Sequence, residues 1–130
     1  PIHLENKEEK YFITENQIEV KVPLNLSFCK AADISFDSNK TIFVDADKLQ
    51  YPLILRHWNK GDSFQPFGMN GKSKKVSKLF KDEKLSLVEK ENSWLLCSND
   101  EIVWIIGLRQ DERFRIENTT TNRLKIQLEE

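Results

Sequence analysis

The residues of this chain with the most chemical potential are cations. Between positions 56 and 81 stand Arg56, Lys60, Lys72, Lys74, Lys75, Lys78 and Lys81 against Asp62 as the lone acid, a segment charge of +6. Residues 1–50 carry six lysines and nine acids, and residues 82–130 carry seven basic and eleven acidic residues, so both flanks are acidic and the whole chain sums to −1. A basic block in an acidic body is what contact with a polyanion needs, because ammonium groups neutralise phosphates and release their counterions. A solvated face that binds nothing would look the same, and charge alone weighs the two equally.

Bond-making chemistry is harder to assemble. Asp111-Glu112-Arg113 resembles a catalytic cluster until a partner is sought; with no His, Cys or metal pattern beside it, it reads as a turn held by Arg–carboxylate pairs. Asp62 follows a glycine in a turn and is expected to cap backbone amides. His3 and His57 are too scattered for a metal site. Cys29 and Cys97 lie far apart in apolar segments and read as two small buried hydrophobes in a reduced compartment. Trp58, Phe64, Phe67, Trp94 and Trp104 could stack on bases, but strand aromatics usually belong to a core, and core is the reading adopted.

Elements must position these groups. From Ile18 the chain alternates, with Ile18, Val20, Val22, Leu24, Leu26 and Phe28 on one side, the period of half-buried strands. Pro23 cannot donate a ladder hydrogen bond and should split the run or lie on an edge. A turn near Asp37-Ser38-Asn39 leads to a strand over 41–46 with Ile42 and Val44 inward, so a β-meander is expected over 11–50. Leu53–Trp58 reads as a strand ending in the turn Asn59-Lys60-Gly61-Asp62. Pro66, Gly68 and Gly71 exclude regular helix from 63–71. Ser73 could then cap a helix to about Lys84 that buries Val76, Leu79 and Phe80 and shows Lys74, Lys78 and Lys81 to solvent. No carboxylate is expected to pair with these lysines on their own face. A further helical turn falls within 85–91. Segments 94–97 and 102–108 form a hairpin whose second strand, apolar on both faces, belongs centrally; Gly107 marks a bulge or a close backbone approach. A last strand falls within 123–129.

Three blocks carry more than a pattern of elements. Pro52–Gly71 reads P-L-I-L-R-H-W-N-K-G-D-S-F-Q-P-F-G-M-N-G, followed by K-K-V-S-K-L-F-K-D from Lys74 and by E-I-V-W-I-I-G-L-R-Q-D-E-R-F-R from Glu101 to Arg115. In this order they resemble the C-terminal domain of the tRNA(Ile)-lysidine synthases, over residues 52–115. The resemblance implies a mostly β, α+β fold: a layered β-sandwich-like domain with one or two short helices, similar to a domain of the phenylalanyl-tRNA synthetase β chain. It implies a parent ligase that uses ATP, with Mg, to join lysine to an anticodon cytidine of isoleucine tRNA, in an upstream catalytic domain that this chain lacks. This chain is then expected to hold the tRNA at its acceptor end, with no catalytic residue, metal or cofactor of its own.

On that reading residues 1–10 are a linker and 11–130 the tRNA-binding domain. Lys72, Lys74, Lys75, Lys78 and Lys81 form one phosphate-contacting surface, with Arg56, Lys60 and Arg109 as further candidates. A protein-interaction or dimerisation module is the rival, and a homodimer is left open. The first residue is Pro1 and the only methionine is Met69, as expected of a piece of a longer protein. The longest apolar run, 102–108, is far shorter than a membrane span, and with no signal peptide pattern the expected location is the cytoplasm.

Overall fold

A computed structural model describes residues 9–34 and 38–129. In chain order its strands are β1 (Lys10–Ile13), β2 (Glu19–Val20), β3 (Leu26–Lys30), β4 (Thr41–Asp45), β5 (Leu53–Arg56), β6 (Ser63–Phe64), β7 (Lys74–Lys75), β8 (Leu95–Ser98), β9 (Glu101–Ile105), β10 (Arg109–Gln110) and β11 (Arg123–Leu128). Two short helices, α1 (Val76–Asp82) and α2 (Leu87–Glu91), lie between β7 and β8. One sheet runs β1-β5-β8-β9-β10, a second runs β2-β3-β11-β4, and β6 pairs with β7 alone. Every pairing among the described residues is antiparallel.

Alternation sends side chains of the five-stranded sheet into two cores. On one face Leu53, Leu55, Leu96 and Trp104 meet Leu26, Phe28, Ile42, Val44 and Ile126 of the four-stranded sheet. On the other, Leu95, Cys97, Ile102 and Ile105 meet Phe64 and the Val76, Leu79 and Phe80 stripe of α1. The result is three layers: sheet, sheet, helix. β9 is sealed on both faces, as its unbroken apolar sequence requires. Each fully buried large apolar side chain contributes about 1.5–3 kcal/mol of transfer free energy, which offsets the ordering cost of many short elements.

Several expectations need correction. Residues 11–50 do not form a meander. β1 leaves for the five-stranded sheet, where Tyr11 faces Leu55, and β11 inserts between β3 and β4. Alternation could not show this, because strand period says which face is buried but not which sheet claims it. Ile18 and Val22 stand exposed, since the ladder with β3 spans only Glu19 and Val20 and the connection through Pro23 carries Val22 outward. Gly107 lies beyond β9, in a turn closed by Leu108 N donating to Ile105 O at 2.8 Å, where its φ is +82°. Cys97 is buried as expected, and burial pushes its thiol up to about 11. Cys29 is exposed, at the end of β3. Within the expected linker, residues 1–8 lie outside the described residues, while Lys10 already belongs to β1. Asp37 of the expected turn is likewise outside them.

Candidate nucleic-acid interface

Three stretches distant in sequence build one shelf. Ser63 and Phe64 pair with Lys75 and Lys74. Between them the chain makes two consecutive tight turns, Met69 N donating to Pro66 O at 3.2 Å and Lys72 N to Met69 O at 3.1 Å. Gly68 sits third in the first turn at φ +91°, a conformation a side chain would resist, and this leaves Phe67 at the turn's corner. Segment 109–113 pins the loop from below. Phe67 N donates to Gln110 O at 3.0 Å, Glu112 N to Gln65 O at 2.8 Å, and Arg109 Nη2 to Phe67 O at 3.0 Å. Asp111, fully buried, accepts from Gln65 N at 2.8 Å and from Arg113 N, Nε and Nη2 at 2.8, 3.0 and 2.8 Å. The Asp-Glu-Arg cluster is therefore a clamp. Its Arg–carboxylate bonds fix a loop, as the turn reading expected.

The helix departs from expectation in a way that matters for charge. α1 begins at Val76, not after Ser73, and ends at Asp82. Lys75 is its N-cap, in extended conformation with no side-chain cap, and Lys74 lies in β7. Pairing with β6 holds residues 74–75 extended, so the lysines are split between a strand and a helix. Asp82 collects two of them: Lys74 Nζ lies 2.7 Å from Oδ2 and Lys78 Nζ 3.3 Å from Oδ1. The Lys78–Asp82 pair is an i,i+4 pair on one helix face, so the expectation of no pairing carboxylate is wrong. Lys74, with its side chain 18% exposed, is a structural cation. The hydrogen bond from Lys74, then that from Lys78, holds the Asp82 carboxyl below the usual aspartate range.

Arg56 is also committed. Its Nη1 and Nη2 bind Asp62 Oδ2 and Oδ1 at 2.9 and 3.1 Å, with both side chains about one-sixth exposed at 17% and 16%. Asp62 also accepts from Asn59 N at 2.7 Å, the expected amide cap. His57 donates from Nδ1 to Ser93 O at 3.0 Å and stacks on Trp94, with ring centroids 3.9 Å apart. Of the eight cations singled out, Lys60, Lys72, Lys75 and Lys81 remain exposed with no ion pair among the described residues, and Lys75 makes only a 3.5 Å contact to Gly61 O. Arg109 spends one donor on Phe67 O. Lys84, outside the set that sequence singled out, is exposed directly beyond α1.

Among the aromatics, Phe64 and Trp104 are buried, while Trp58 and Trp94 pack half-buried against the two cores. Phe67 is the exception: it is 47% exposed, and its backbone is fixed on both sides. The sequence offered a partial signal, since the Pro-Phe-Gly spacing marks a tight turn, where a core aromatic is less expected than in a strand. Beside Phe67, where β4 meets β10, opens a cavity of about 360 Å³ lined by Asn39, Thr41, Phe67, Glu83, Trp104 and Arg109, among others. Among the described residues, Trp104 Nε1 is the buried side-chain polar atom left without a hydrogen-bond partner, a state that costs about 1–3 kcal/mol.

Residues 53–127 match the family model of the TilS substrate C-terminal domain. The chain belongs to this family. It is 48% identical to a tRNA(Ile)-lysidine synthase of Parabacteroides distasonis over 122 residues, covering 90% of this chain and 28% of that protein. It is 34% identical to the tRNA(Ile)-lysidine synthase of Clostridium tetani over 131 residues, 96% of this chain and 27% of that one. The chain therefore spans little more than a quarter of the length of these two relatives. A crystal structure of a TilS C-terminal domain superposes with a TM-score of 0.74 at 23% identity, covering 92% of this chain and 95% of the other. The β-rich, layered sandwich with two short helices is thus the fold of that domain. Among the described residues no group of His, Cys, Asp and Glu could hold a metal ion. Gly68 and Gly71 close successive tight turns, while Gly61 and Gly107 stand in separate ones. No helix among the described residues is long and apolar enough to cross a membrane.

Proposed function

We propose that this domain holds tRNA for a tRNA(Ile)-lysidine synthase, gripping the acceptor end while the reacting anticodon base lies in a separate catalytic domain of the same parent protein. The observation that supports this best is the sorting of cations on the shelf. Arg56 pairs with Asp62, and Lys74 and Lys78 share the single charge of Asp82, whereas Lys60, Lys72, Lys75 and Lys81 stand exposed and, among the described residues, unpaired. Unpaired ammonium groups on a hydrogen-bonded backbone, Lys72 on the loop clamped by Asp111 and Lys81 on the docked helix α1 among them, suit shape-directed contact with a folded RNA's phosphates. Attachment to a catalytic domain then raises the local concentration of the anticodon there. ATP and Mg belong to that catalytic domain in this reading, and this chain contributes position alone.

The test is to change Lys72, Lys75 and Lys81 together to Ala and titrate tRNA at two salt concentrations. Affinity should fall, and the salt slope should shrink by roughly 0.7–0.9 for each phosphate no longer neutralised, with thermal stability unchanged. An unaltered slope would remove the lysine shelf from the reading. The rival role, protein interaction or dimerisation, draws on exposed apolar residues at the helix layer, Leu87 and Val88, and predicts a solution mass that rises with protein concentration.

A further inference from the structure

The cavity beside Phe67 has the composition of a site for a base, not for a phosphate. Its mouth sets Arg109 and Glu83 among its lining residues, one cation and one anion, so a second anion gains little there. Glu83 has no ion pair or side-chain hydrogen bond among the described residues, and Arg109 uses one donor on the Phe67 carbonyl. Gln110 donates through Nε2 to Phe43 O at 3.0 Å, which leaves its amide oxygen to accept. A neutral heterocycle with both donor and acceptor edges answers that set: a carboxylate or amide oxygen accepts from an exocyclic amine, and a guanidinium donates to ring nitrogen or carbonyl oxygen. Phe67 supplies the flat apolar face on which an unpaired base stacks, and its two backbone bonds fix the main chain that carries the ring. At about 360 Å³ the cavity falls at the small end of the range for ligand sites. Lys72, which closes the second tight turn of the same loop, stands exposed.

We propose that the Phe67–Arg109–Glu83 cavity receives one unpaired, amine-bearing nucleobase (cytosine, adenine or guanine) of an RNA whose phosphates rest on the lysine shelf. The site rests on the RNA-binding reading above and adds to it a contact with a single-stranded nucleotide. It gives the domain a means of telling a frayed or overhanging end from a continuous duplex. Uracil, which lacks an exocyclic amine, fits the carboxylate less well.

Two RNA hairpins test this, one blunt and one with a short single-stranded 3′ extension of cytidine and adenosine, each titrated into the isotope-labelled protein. The extension should tighten binding about tenfold, the effect of one good stacking contact, and should shift the indole N–H resonance of Trp104 at the cavity floor. Phe67→Ala should abolish the tenfold gain yet leave affinity and salt dependence for the blunt hairpin as in the unaltered protein. An extension made of uridine should recover only part of the gain. Equal affinity for both hairpins, or a gain that survives Phe67→Ala, overturns the base site while the shelf stands. If neither hairpin binds, the RNA-binding reading falls, and this one with it.

Discussion

Asp82 decides how much positive charge the shelf can offer. It draws in Lys74 and Lys78, and its own side chain remains 40% exposed. Asp82→Asn should therefore tighten RNA binding and steepen its salt dependence, because one anion is removed and two ammonium groups are freed; isothermal titration at low and moderate salt would read both changes. The carboxyl is held below its usual range by Lys74 and then Lys78. Its contribution to folding is accordingly present above the ordinary aspartate range and is lost as pH falls through the depressed value. The acid limb of a stability profile should flatten in Asp82→Asn. Arg56→Ala makes the opposite comparison. It breaks a two-pronged, mostly buried pair with Asp62 and should cost about 1–3 kcal/mol in denaturant unfolding, with no change in the salt slope of RNA binding. One of these three pairs could have been read from spacing and was missed: Lys78 and Asp82 stand four apart on a helix. The other two could not, since Lys74 reaches Asp82 from a strand and Arg56 reaches Asp62 across a turn.

At the scale of elements, α1 ties the shelf to the body through Val76, Leu79 and Phe80, all buried against the five-stranded sheet. Its seven residues are too few to be stable as a free helix, so packing must hold it. Phe80→Ala should cost about 3–5 kcal/mol and loosen Lys78 and Lys81 together, which amide exchange in residues 76–84 would report. The apolar stripe was readable from period alone, and so was the two-sided burial of β9. The boundary of α1 was not. Ser73 is a good capping residue by type, yet pairing between β6 and β7 keeps Lys74 and Lys75 extended and delays the helix to Val76. α2 shows the same rule succeeding. Ser86 accepts from Glu89 N at 3.1 Å while Glu89 accepts from Ser86 N at 2.8 Å, a reciprocal cap that the spacing of serine and glutamate announces. Ser86→Ala should shorten α2 at a cost of about 0.5–2 kcal/mol, measured by thermal melting.

For the whole molecule, the clamp at Asp111 ties the third family block to the first, and the pairing of β6 with β7 ties the second to the first, so the basic middle of the chain is held to the body between its acidic flanks. A near-neutral total charge therefore hides a polar division of labour, and salt should weaken RNA binding far more than it alters stability. Light scattering across a range of protein concentrations should give a constant mass if RNA is the partner of this surface. A rising mass would favour the interaction-module rival and direct attention to Leu87 and Val88. Layer count and core residues follow from alternation and amphipathic spacing. The assignment of strands to sheets does not, because β1 and β11 find partners dozens of residues away and nothing local encodes the choice.

The position of β11 between β3 and β4 has a consequence for biosynthesis. Until Arg123–Leu128 have left the ribosome, the second sheet has a gap at its centre, and β3 and β4 each present a bare rim of amides and carbonyls. A nascent chain halted before Arg123 should be sticky and sensitive to proteases, and adding the missing hexapeptide in trans should restore resistance by filling the slot.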